Sequence, residues 1–212
     1  MESKKKGGMN TALMAQVALL VAIMLVMQIT GINSIRIYPL KMSFMTLPVA
    51  IGAMLVGPVA GMILGTVFGL LSFWSAVAGT GGLTTFFFQY KPFSTFVLCV
   101  VMRSLMGLCC GLIFKVVSKL DKDEKTWSYF VGALSAPLLN TIFFMGYIIL
   151  FFYNMENVQA LVESLGAANP LHFVILLVGV QGLIEAVVVA ILGGILTKVL
   201  SKVVRNYVVR KR

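Results

Sequence analysis

The sequence predicts an all-α integral membrane protein of six transmembrane helices with both termini cytoplasmic, and three observations carry the class. Of its 212 residues, 59% are hydrophobic and only 11% charged, against roughly 45–50% apolar and about 25% charged in soluble domains. Apolar runs of spanning length, roughly 20 residues for about 30 Å of hydrocarbon, recur along the chain. The mean hydropathy of +0.99 holds over the whole length, which leaves no room for a sizeable water-soluble domain. A single membrane domain, residues 1–212, is therefore expected.

The spans follow from charge and Pro/Gly punctuation. The first is 11–30, behind a charged N-terminal segment; it lacks a small-residue cleavage pattern and reads as a retained helix. The second, 42–56, is short and stops at Gly57-Pro58, a tight turn into the third, 59–78. A Gly- and Thr-rich loop, 79–92, leads to the fourth, 93–114. The fifth is 127–153 and the sixth 171–196, separated by a segment whose Glu156, Gln159 and Glu163 read as a short amphipathic lid.

Orientation follows from the cations. With both termini and the loop 115–125 in the cytoplasm, thirteen of the seventeen Lys and Arg residues fall inside, as the positive-inside rule requires. The net charge of +10 is thus topological, and nucleic acid is not expected as a partner. Four cations escape this explanation: Arg36 and Lys41 between the first two spans, Lys91 before the fourth, and Arg103 within it. An intramembrane charge costs at least ~2.5–3.5 kcal/mol and marks a functional site when a partner can be named. Glu185 is the expected partner of Arg103, because distances from the flanking prolines and lysines place both near mid-membrane, with Asn140 at the same level. A structural cluster tying three helices together would use the same residues.

Gly61, Gly65 and Gly69 form a doubled small-xxx-small pattern that predicts close approach of another helix. Thr11, Ala15, Ala18 and Ala22 give the first span a smooth face. Pro137 precedes Asn140 and Thr141 by about a turn and predicts a distorted helix beside a cavity, while Gln181 and Glu185 share a face of the last span. Gln89, Tyr90 and Lys91 join aromatic, amide and cationic groups at the membrane surface.

Several classes are excluded. No G-x-x-x-x-G-K-[ST] loop is present, so this chain is not expected to be an ATPase, and His172 stands without a nucleophile or acid at catalytic spacing. No catalytic residues are assigned. Cys99, Cys109 and Cys110 lie in one apolar stretch without metal-binding spacing, so no metal or cofactor is expected. The two halves show no repeat, which argues against an inverted-repeat carrier.

The run Leu40-Lys41-Met42-Ser43-Phe44-Met45-Thr46-Leu47-Pro48, continuing to Gly57-Pro58 and Gly61, together with the Ala-spaced first span, resembles the substrate-binding S components of energy-coupling factor (ECF) vitamin transporters. The resemblance implies a bacterial plasma-membrane protein that binds a vitamin from outside without ATP. It implies docking through Thr11, Ala15, Ala18 and Ala22 on a transmembrane coupling subunit powered by two ATPases, and toppling to release the vitamin. Thr11 stands where alanine is expected. The motifs around Gln89 to Phe93, Met102-Arg103, Pro137 to Thr141 and Gly182 to Glu185 look most like the pantothenate branch. They point to Lys41, Gln89, Tyr90, Lys91, Arg103, Asn140, Thr141, Gln181 and Glu185 as substrate-binding residues. The uncompensated cations favour an anionic solute, and the amides and hydroxyls suit a ligand rich in such groups. Folate and riboflavin stay open as alternatives, as does a structural or assembly subunit of a membrane complex.

Overall fold

The computed structural model of the protein describes residues 11–31, 34–37, 40–121 and 127–210, with 34–37, 40–42 and 203–210 described as backbone. Helix α1 (Thr11–Thr30) is followed by an antiparallel hairpin of β1 (Ser34–Ile37) and β2 (Leu40–Ser43), in which Arg36 pairs with Lys41. The short α2 (Thr46–Leu55) and α3 (Pro58–Val77) come next. Gly57 between them has φ 120°, a conformation that favours glycine, and Pro58 supplies the pre-set φ of a helix start. The segment expected as a loop at 79–92 contains α4 (Leu83–Tyr90).

One continuous helix then runs from Pro92 to Leu120. It is built of α5 (Pro92–Phe96), a π-helical turn (Val97–Val101) and α6 (Met102–Leu120). After α7 (Trp127–Phe151), the expected lid segment forms α8 (Glu156–Ser164), whose Val158 and Val162 are buried. Helix α9 (Pro170–Arg210) closes the described chain.

Among the described residues, five helices have the length and apolarity to cross a membrane. The second expected span does not reach that length: its helix has ten residues, about 15 Å or half the hydrocarbon core. Its first residues instead belong to the hairpin. A helix this short persists because it is enclosed, with Thr46, Pro48, Val49, Ala50, Ile51, Gly52, Ala53 and Met54 all buried. The long helices expose apolar side chains such as Leu19, Trp74, Ile142, Leu150, Val180 and Leu183, the inverse of a soluble surface and the outer face that lipid requires.

The glycine pattern of α3 finds its complement on α6. A Cβ at Gly61 would meet the carbonyl oxygen of Gly107, one at Gly65 that of Arg103, and one at Gly69 the backbone of Cys99 and Val100. These steps of four residues run in opposite directions along the two helices, so the backbones are in direct contact over two turns. Thr66 and Ser104 add a hydroxyl hydrogen bond of 2.8 Å across the seam. Two apolar clusters flank it. One centres on Met24, Met45, Leu64 and Met106, the other on Phe87, Leu98, Ile148, Phe152 and Phe173.

Candidate functional site

Arg103 lies two residues beyond the π turn, where the amide of Met102 donates to the carbonyl of Val97. The extra residue rotates the following side chains by about 100° relative to an unbroken α-helix, and so helps to set the direction of Arg103. The side chain is 8% exposed. Its guanidinium sits between two rings, with Cζ 4.5 Å from the centre of Phe68 and 4.7 Å from that of Phe144. Nη1 donates to the Cys99 carbonyl at 3.2 Å. Nε is buried without a partner. The rings hold the cation in place by its faces, while the in-plane N–H donors, the groups that recognise a carboxylate, are only partly used.

Glu185 does not complete the expected ion pair. Among the described residues no carboxylate lies within 4 Å of Arg103; Oε1 of Glu185 instead accepts from Thr46 Oγ1 at 2.9 Å. Thr46 opens α2, so the carboxylate lies at a helix N-terminus, where the dipole favours negative charge. The acid and the base share one cavity, each held by other groups.

That cavity has a volume of about 430 Å³, within the range of small-molecule sites. It is lined by α1, the end of β2, α3, the 80–82 turn, the start of α4, α6, α7 and α9. Of the expected residues it brings together Arg103, Asn140, Thr141, Gln181 and Glu185. Asn140 presents a buried carbonyl oxygen with no partner, and the side chain of the buried Gln181 makes no hydrogen bond among the described residues. Pro137 lies inside α7 one turn before Asn140, where the missing proline N–H weakens the helix wall.

The structure does not bring Gln89, Tyr90 and Lys91 to this cavity. All three are exposed at the end of α4, Tyr90 by 64%, and Lys91 Nζ contacts the Phe151 carbonyl at 3.5 Å. Phe87, one turn earlier on α4, packs inward instead, stacking on Phe152 at 4.2 Å. Lys41 lies on β2 and its side chain is outside the described residues. Thr11, Ala15, Ala18 and Ala22 are all exposed, while Val17 and Met24 are the buried face of α1.

Sequence reasoning missed the aromatic clamp of Phe68 and Phe144, because phenylalanines in apolar spans carry no distinguishing signal. It also missed Gln28, whose Nε2 donates to Ser75 Oγ at 3.0 Å on the cavity wall. A glutamine inside a first span was a readable signal.

Apolar helices wrapped around a cavity that holds a buried cation, with no carboxylate within ion-pair distance of it among the described residues, have the form of a membrane-embedded small-molecule binder. The chain belongs to the family of substrate-specific components of ECF transporters, whose family model matches residues 13–197. A comparison with curated proteins found no match. Membership makes it the substrate-specific component of an ECF importer, a multi-pass membrane protein with a small-molecule substrate and with coupling and ATPase subunits as partners.

Proposed function

We propose that this component captures pantothenate with high affinity and delivers it to the coupling subunit in a bacterial plasma membrane. The observation that carries this function is Arg103: a buried guanidinium, clamped by its faces and lacking a carboxylate partner, invites the carboxylate of a ligand through charge-assisted hydrogen bonds. Asn140 and Gln181 supply unpaired amides for the amide and hydroxyl groups of the same molecule. Thr141 and Glu185 complete the wall at that end.

The same proposal takes six crossings, with the segment 42–56 that contains the enclosed α2 as the second, and both termini in the cytoplasm by the distribution of cations. The exposed face of Thr11, Ala15, Ala18 and Ala22 is then the docking surface for the coupling subunit. Lipid covers the other apolar faces.

Mass spectrometry of the small molecule that copurifies with the protein tests this directly, together with calorimetry using pantothenate and its neutral alcohol, panthenol. Recovery of pantothenate, and much weaker binding of panthenol, is expected. Recovery of folate or riboflavin, or no binding across a vitamin panel, would overturn the assignment.

A further inference from the structure

The cavity is closed at one end and reaches the surface at the other. Arg103 and Glu185 stand at the closed end, each 8% exposed. Three or four residues beyond the lining positions Phe68, Arg103, Asn140 and Glu185, the four helices carry Leu64, Met106, Ala136 and Val189, none of which is exposed. These steps all lead toward the same end of the bundle, because α3 and α7 run antiparallel to α6 and α9. There the α3 and α6 backbones touch at Gly65 and Arg103, and Thr46 holds Glu185 at the N-terminus of α2. A ligand group extended past Arg103 would meet this packed layer, which has no slack to take it.

In the opposite direction Ser72 and Ser75 continue the wall along α3, Ser75 lying seven residues or about 10 Å from Phe68. The helix ends at Val77 and the chain turns through residues 80–82. Among the described residues, the lining residues that are exposed are Gly31, Thr80 and Gly82, all beyond the ends of α1 and α3. Gly31 and Gly82 take positive φ of 74° and 67°, so the chain turns at the rim without a side chain. A Cβ at either would meet no described atom within 4 Å. The rim leaves room where the floor leaves none.

We propose that the ligand enters carboxylate first and lies with its other end at the rim of Gly31, Thr80 and Gly82, so that the protein accepts carboxylates extended at that distal end and refuses those extended through the carboxylate. This rests on the assignment of Arg103 to the ligand carboxylate and adds an orientation to it. Pantothenate carries its carboxylate and its terminal hydroxyl at opposite ends, so the hydroxyl is the group at the rim. An ether on that hydroxyl sends its alkyl chain out past the rim. An amide on the carboxylate is refused twice, once for the charge that Arg103 no longer meets and once for the bulk that the floor cannot take. The class of ligand is thus wider than one vitamin: distal conjugates of a small carboxylate fit, and carboxyl conjugates do not.

The test is calorimetry on the full chain in lipid nanodiscs with four probes: pantothenate, panthenol, the propyl ether of the terminal hydroxyl of pantothenate, and the N-pentyl amide of its carboxylate. Weak probes are read by displacement of pantothenate. Comparing the amide with panthenol separates bulk from charge, because both are neutral. Expected are an ether within about tenfold of pantothenate and an amide roughly tenfold or more weaker than panthenol. Thr80→Trp, which narrows the rim, should weaken the ether more than pantothenate. An ether weaker than pantothenate by more than about tenfold, or an amide that binds as well as panthenol, would overturn the orientation while leaving Arg103 its carboxylate. Equal losses of ether and pantothenate in Thr80→Trp would do the same. The wild-type comparisons stand even if that variant fails to fold. Equal binding of panthenol and pantothenate would instead overturn the Arg103 assignment, and with it the orientation that rests on it.

Discussion

Replacing Arg103 by glutamine separates binding from folding. The wild-type side chain gains two ring contacts at 4.5 and 4.7 Å and one hydrogen bond to Cys99. At about 0.5–2 kcal/mol per ring and about 1.5–3 kcal/mol for a charged donor, that is roughly 2.5–7 kcal/mol. Against it stands the cost of a membrane-buried charge, at least ~2.5–3.5 kcal/mol, which glutamine avoids. The fold should therefore lose no more than about 4.5 kcal/mol. Affinity for the anion should fall as well, because truncating one side of a buried charged pair costs about 2–5 kcal/mol, roughly 30-fold to several-thousand-fold. Calorimetry with pantothenate and panthenol, beside a thermal unfolding scan, reads both quantities. Expected is a large loss for pantothenate, little change for panthenol and a surviving cooperative transition. Equal losses for the two probes, or pantothenate binding within threefold of wild type, would refute the role of the guanidinium.

Four further outcomes are expected. Gly61→Leu should abolish monodisperse protein in size-exclusion chromatography, because its Cβ meets the Gly107 backbone, which cannot move aside like a flexible side chain. Thr46→Val should lower thermal stability by about 1–3 kcal/mol, since it strips the hydroxyl donor from a buried carboxylate and leaves it the Ser43 backbone N–H; an unchanged unfolding temperature would show that the backbone donor suffices. Lys91→Ala should leave pantothenate affinity within about twofold in calorimetry, because its ammonium lies at Phe151 rather than in the cavity; a larger loss would restore it to the site. Ala18→Leu should leave binding intact but reduce ATP-dependent uptake into vesicles carrying the coupling and ATPase subunits, since the added bulk projects from an exposed face.

Legibility in the sequence followed the range of the interaction. The glycine seam was readable because a four-residue spacing places small residues on one helix face whatever the partner, and α6 proved to supply Gly107 opposite Gly61. Arg103 stood out because a charge in an apolar run has few bland explanations. The partner of Glu185 was not readable: depth arithmetic placed acid and base at one level, but depth says nothing about rotation around each helix axis. The π turn at 97–101 intervenes before Arg103 and alters that rotation. The α4 segment misled for the complementary reason. Gln89, Tyr90 and Lys91 read as a capture motif, yet α4 buries Thr84 and Phe87 and leaves its chemically richer end exposed.

The sequence by itself determined that the chain is a helical membrane protein, where its long helices lie, and that a buried cation needs explaining. Hydropathy and helical spacing are local quantities, and each is decided within about twenty residues. Tertiary structure decided which groups share the cavity: Phe68 and Phe144 around Arg103, Thr46 on Glu185 from 139 residues away, and Gln28 with Ser75 at the far end. Those choices depend on how each helix is rotated and how closely the glycine seam lets α3 approach α6, which is settled only when all the helices pack at once.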